Sequence, residues 1–156
     1  MDVIGVSKRR SKEKLAVLRK LNRYLSAQAQ KYKEYLALLQ KEKESILNSE
    51  FEKLDEQVHF EQTIVSEIFS LERVILPLKT LYRESGPDPR DSISALEAGV
   101  QGLKKAVMRK NEKNRTLLKE RMDKLREEIK SVRKNINRTS TKQEGTTTPN
   151  LVDISS

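Results

Sequence analysis

Apolar residues recur every seven positions near the start of this chain, at Leu18, Leu25, Tyr32, Leu39 and Ile46, with Leu15, Leu21, Tyr35 and Leu36 beside them. A seven-residue period keeps one narrow seam turned toward a neighbour, so the segment reads as a long helix packed along its length against another helix. Composition points the same way. Of 156 residues, 35% are hydrophobic and 4% aromatic, against 35% charged. Apolar side chains this sparse are best buried by a few long helices, each giving a stripe to its neighbours and the rest of its surface to water.

The breaks in the pattern divide the chain. After Asn48-Ser49 the phase changes, and Ser49 stands three residues before Glu52, as a capping box would place them. A second helix carries Phe51, Leu54, Val58, Ile64, Val65, Ile68, Leu71, Ile75 and Leu78 and runs to about Glu84; Pro77 inside it removes one backbone donor and predicts a kink. The run Ser85-Gly86-Pro87-Asp88-Pro89-Arg90 cannot continue a helix. Beyond it, Ile93, Leu96, Val100, Leu103 and Val107, then Leu118, Met122, Leu125, Ile129, Val132 and Ile136, recur by threes and fours and set out a third helix. After Arg138 the chain is polar until Leu151-Val152-Asp153-Ile154.

The expected fold is therefore all-α. An elongated three-helix antiparallel coiled-coil-like bundle spans residues 11–138, with helices near 11–48, 50–84 and 91–138. A flexible basic N-terminus precedes it over 1–10, and a disordered C-terminal tail follows over 139–156. Charge is partitioned to match: residues 1–49 carry +7, residues 50–84 carry −4 and residues 101–140 carry +9. An acidic middle helix is biased toward both basic neighbours by a few tenths of a kcal/mol per exposed pair.

Chemistry is sparse. There is no cysteine, so disulfides, thiolate nucleophiles and cysteine zinc sites are excluded. The single histidine, His59, has Asp55 one turn before it and no second ligand in view, which reads as a flank residue of an amphipathic helix. With no phosphate loop, GxSxG or HExxH signature, the chain is expected to be non-enzymatic, with no cofactor, metal or small-molecule substrate. No apolar run approaches the roughly 18 residues of a membrane span. No apolar core follows the Lys8-Arg9-Arg10 cluster as a secretory signal would need, so a soluble cytoplasmic protein is expected. The basic residues of the third helix are spread around it and not interleaved with aromatics, so specific nucleic-acid binding is not expected.

One feature of the third helix exceeds what a plain structural helix requires. On the stripe that descends from Val107, the next positions are Asn111 and Asn114 before apolar residues resume at Leu117 and Leu118. Two asparagines on a seam either fix register as a polar layer or mark the boundary between a scaffold half and a partner-binding half. The stripe beyond them, through Met122, Leu125, Ile129, Val132 and Ile136, is either covered by the first two helices or left open. If open, it would be a site for a partner helix. Leu151, Val152 and Ile154 are either a second docking element or a frayed end.

At three places the sequence resembles the FlgN family of flagellar export chaperones: Tyr35-Leu-Ala-Leu-Leu-Gln-Lys-Glu-Lys-Glu44 leading into Ser49-Glu-Phe-Glu-Lys-Leu54, the stretch ending Leu71-Glu72-Arg73, and Asn111-Glu-Lys-Asn114-Arg-Thr-Leu-Leu118. The resemblance spans most of residues 11–138. It implies a cytoplasmic chaperone that binds helical C-terminal segments of the hook-filament junction (hook-associated) proteins, keeps them unassembled and delivers them to export apparatus components of the flagellar type III system. The late third helix and tail would carry the partner contacts: Asn111, Asn114, Leu117, Leu118, Met122, Leu125, Ile129, Val132, Ile136, Leu151, Val152 and Ile154. The chain departs from the acidic character expected of that family, having a pI near 9.7. The alternatives are a basic coiled-coil component of the export apparatus, similar to FliJ, and a coiled coil associated with nucleic acid. The mid-chain Gly86-Pro87 and Pro89 break counts against a two-helix stalk.

Overall fold

The computed structural model describes the backbone of residues 3–86, 88 and 92–154, with side chains as far as residue 142. It contains three helices, α1 (Val3–Leu47), α2 (Phe51–Glu84) and α3 (Ile93–Ile154). The chain divides into two compact units, Met1–Arg115 and Thr116–Ser156, the boundary falling within α3. Among the described residues no helix is long and apolar enough to cross a membrane.

Two boundaries differ from those expected. The helix of the N-terminal segment begins at Val3 and not near Ser11, although the side chains from Val3 to Glu13 are all exposed. Gly5 is the weakest helix former before a run of Lys and Arg, and a helix nucleated downstream propagates through it without needing burial. At the other end, α3 continues past Arg138: the Thr139 and Thr141 hydroxyls donate to the carbonyls of Asn135 and Asn137, at 2.8 and 2.7 Å. Loss of the apolar stripe ends a packing face; it does not by itself end a helix.

The first turn uses different chemistry from the capping box that the sequence suggests. Ser49 has φ of 56°, in the left-handed region. Its N–H donates to the Ile46 carbonyl at 3.1 Å, and the Glu50 N–H donates to the Ser45 carbonyl at 2.8 Å. These paired bonds form a Schellman motif that closes α1 and satisfies two of its orphan carbonyls. Glu50 is the residue that precedes α2, and its side chain makes no capping bond. Ser49 thus terminates one helix and does not start the next. Gly86, with φ of 80°, takes the corresponding left-handed position after α2, where the absence of a Cβ removes the penalty.

In the unit Met1–Arg115, α1 and α2 each bury a continuous row with alternating three- and four-residue steps. On α1 the row is Leu21, Leu25, Gln28, Tyr32, Tyr35, Leu39, Glu42 and Ile46. On α2 it includes Ile64, Ile68, Leu71, Ile75, Leu78 and Tyr82, and α3 adds Ile93, Val100 and Val107 to the same core. Pro77 lies within α2 on its exposed face, so the carbonyl it leaves unbonded can meet water and α2 is assigned without interruption. Side-chain bonds fix the directions. Ser45 bonds Gln57, Tyr35 bonds Glu61, Lys31 pairs with Glu67 and Gln28 bonds Glu72, so α2 runs antiparallel to α1. Asn22 bonds Ser92, Tyr35 bonds Asn111 and the Leu39 carbonyl accepts from Asn114, so α3 returns parallel to α1. The three-helix antiparallel bundle is the arrangement that the charge partition anticipates.

Candidate functional site

The residues expected to meet a partner fall into two groups with different surroundings. Asn111 and Asn114 belong to the bundle. Asn114 is buried and donates from Nδ2 to the main-chain carbonyl of Leu39 at 2.8 Å; Asn111 is half-buried and donates from Nδ2 to the Tyr35 hydroxyl at 3.4 Å. Both amides are engaged with α1. The pair is a polar layer that sets the register of α3, and Asn114 is removed from the candidate partner surface because its only donor-bearing end faces inward.

That layer is larger than the asparagines. The Tyr35 hydroxyl, which accepts from Asn111, donates to Oε1 of Glu61, so one phenol links all three helices. One heptad after Tyr35, Glu42 is only 4% exposed, and its Oε1 has no partner. Burial, followed by its hydrogen bond to and charge repulsion from Glu61, pushes the Glu42 carboxyl up to about 8. Removed from water and beside a second carboxyl, Glu42 is held protonated near neutral pH. Burial also raises Tyr35, reinforced by Glu61, and keeps it a donor. Two further buried polar groups complete the belt: Gln28 donates to Oε2 of Glu72 at 2.7 Å, and Ser45 donates to Oε1 of Gln57 at 2.9 Å.

The carboxyls were not singled out by the sequence reading, yet a signal exists. The row Leu18-Leu25-Tyr32-Leu39-Ile46 draws the eye, while its companion row three residues on reads Leu21-Gln28-Tyr35-Glu42. A heptad row that turns polar while its companion stays apolar marks a buried polar layer. His59 is exposed, its Nδ1 against the Asp55 carbonyl at 2.9 Å, as a flank residue would be.

The second group lies in the unit Thr116–Ser156. Leu117 and Leu118 are half-buried, whereas Met122, Leu125, Ile129, Val132 and Ile136 are 41% to 58% exposed. They follow one another by steps of three and four on one helix face, a continuous apolar stripe open to solvent. Its heptad phase is displaced by one residue from that of Ile93–Val107. The side chains of Leu151, Val152 and Ile154 lie outside the described residues. Elsewhere, α2 exposes Phe60 and Phe69, which the sequence reading did not single out. An open groove of about 920 Å³ lies among Val3, Val6, Arg10, Lys14, Leu81 and Glu84.

The chain is similar to a protein of Treponema pallidum (strain Nichols) described as an uncharacterized protein, with 24% identity over 133 residues, covering 85% of this chain and 86% of that one. No known family's sequence profile matches the chain. No solved structure matches it.

Proposed function

We propose that this protein is a cytoplasmic export chaperone of the FlgN type, a binding protein without catalytic activity. In this reading it holds helical C-terminal segments of hook-filament junction proteins, prevents their premature assembly and delivers them to the flagellar type III secretion apparatus. The observation that carries the proposal is the solvent-open stripe from Met122 to Ile136. Five large apolar side chains in heptad register are costly to leave in water, and an amphipathic helix laid along them would bury them. The three quoted segments that resemble the family add the client class. Binding would cover the client's polymerising face, and release would follow from competition by the export machinery, with neither ATP nor metal consumed by the chaperone.

Co-purification from a flagellated host tests this directly, using full-length protein beside a form truncated after Leu118. A junction protein recovered with the full-length form alone supports the proposal. Leu125→Asp and Ile129→Asp should each abolish that recovery, and wild-type recovery in both would remove the site assignment. The second reading, a basic coiled-coil part of the export apparatus similar to FliJ, is favoured by the net charge of +9. Recovery of export-ATPase components in place of a junction protein would select it.

A further inference from the structure

The open stripe has unequal borders. Its alternating spacing places Met122, Ile129 and Ile136 at heptad positions a and Leu118, Leu125 and Val132 at positions d. The residues that follow each d position, Lys119, Arg126 and Arg133, are all basic and all exposed. The other border carries Arg121 and Glu128. Arg126 reaches Asp123 at 3.8 Å with both side chains largely in water, a pairing too loose to withhold it from a partner. Across residues 116–142 there are nine Lys and Arg against four Asp and Glu.

Resting on the chaperone reading for the existence of a client, we infer that the occupant of this stripe is an amphipathic helix with acidic flanks, docked with its carboxylates along the Lys119-Arg126-Arg133 edge. Ile at a with Leu at d would by itself suit a pair of identical helices. Charge gives a parallel pair no net gain and opposes an antiparallel one. A parallel second copy sets Arg121 against Arg126, leaving Glu128 with Arg133 as the one opposite-charge pair. An antiparallel copy packs the wholly basic edge against itself. A helix bearing Glu or Asp at its flanks meets three cations along this edge and Arg121 on the other, with Glu128 the one like charge, and is drawn in by the local positive field. The apolar seam supplies the contact area, and the basic edge chooses among helices that could all fill it.

The full-length protein would be titrated with two fluorescent helical peptides sharing one Ile/Leu seam, one with Glu and the other with Lys at every flanking position. The Glu peptide should bind about tenfold or more tighter, as three exposed pairs predict, and lose that margin as salt is raised. The triple variant Lys119→Glu, Arg126→Glu, Arg133→Glu should reverse the order while circular dichroism shows unchanged helicity. Equal affinities, a preference for the Lys peptide, no binding of either, or a stripe-dependent homodimer in sedimentation would each overturn the inference. The two proposals fail separately. If the triple variant still recovers a junction protein from the host but Ile129→Asp does not, the charge assignment is wrong and the chaperone reading stands. If neither variant changes recovery, the site itself is misplaced.

Discussion

Asn114 donates its side-chain amide to the main-chain carbonyl of Leu39 at 2.8 Å, across 75 positions of sequence. This is a tie between a helix interior and a buried polar side chain, and it is available only when α3 stands in one axial register against α1. A slip of α3 by one heptad would carry Arg121 or Val107 to that position and leave a buried polar group without its partner, at a cost of about 1–3 kcal/mol. Asn111 on Tyr35 repeats the tie one turn away.

Replacing Asn114 by Ala should therefore destabilise the bundle by about 1–2 kcal/mol, from the lost bond and the small void together. Urea unfolding followed by circular dichroism measures it. An unchanged midpoint would mean that the tie contributes nothing to stability.

Glu42 gives the bundle a pH dependence of defined sign. In the unfolded chain its carboxyl ionises near its ordinary value of 4.5, whereas in the folded protein burial and Glu61 hold the proton until about pH 8. Between these values the folded state retains a proton that the unfolded state has released, so stability from this group is highest below 4.5 and declines as pH rises, levelling off above 8. Glu42→Gln keeps the shape and removes the titration. The variant should gain on the wild type by on the order of 1–2 kcal/mol at pH 9, and the gap should shrink toward pH 5. Paired denaturation curves at the two pH values decide it, and a gap independent of pH would contradict the assignment.

Ser49 holds a left-handed conformation that a Cβ makes unfavourable. Ser49→Gly should stabilise the protein by about 0.5–1 kcal/mol, since glycine is the preferred residue at this position of a Schellman motif. A loss of stability in thermal unfolding would show that the serine side chain contributes more than the strain costs.

Core and stripe should respond oppositely to truncation. Ile75 is fully buried, and Ile75→Ala should cost about 2–5 kcal/mol. Ile129 is half exposed, and Ile129→Ala should change stability by no more than about 0.5 kcal/mol. Measuring both in the same unfolding assay separates residues that hold the fold from residues free to serve a partner. A large loss at Ile129 would place it among the former.

Helix number, order and direction were legible in the sequence because the heptad period of Leu18 to Ile46 and the Gly86-Pro87 break are governed by local rules. The helix ends near Val3 and beyond Arg138 were not, because apolar periodicity reports burial, and residues 3–13 and 139–142 are helical without being buried. Ser49 misled for a related reason: the same short polar residue suits a capping box and a left-handed stop, and only the bonds of its neighbours distinguish them. The stripe from Met122 to Ile136 was visible as a pattern, but whether it was covered depended on tertiary packing. Glu42 and Glu61 lie on different helices, and the raised carboxyl of Glu42 exists only once α1 and α2 have paired in register.

The turn at Asn48–Ser49 also has a meaning in time. Ser45 and Gln57, joined across it, are only 12 residues apart, whereas the bonds from α1 to α3 span 70 residues or more. During synthesis at about 5–20 residues per second, the first two helices can close on each other while the third is still being made, a wait on the order of seconds. For that interval the face that will receive Ile93, Val100 and Val107 stands open on the nascent hairpin. On that hairpin Tyr35 and Gln28, bonded to Glu61 and Glu72, are polar groups that water can reach until α3 docks, so the waiting face is less apolar than a plain leucine seam would be.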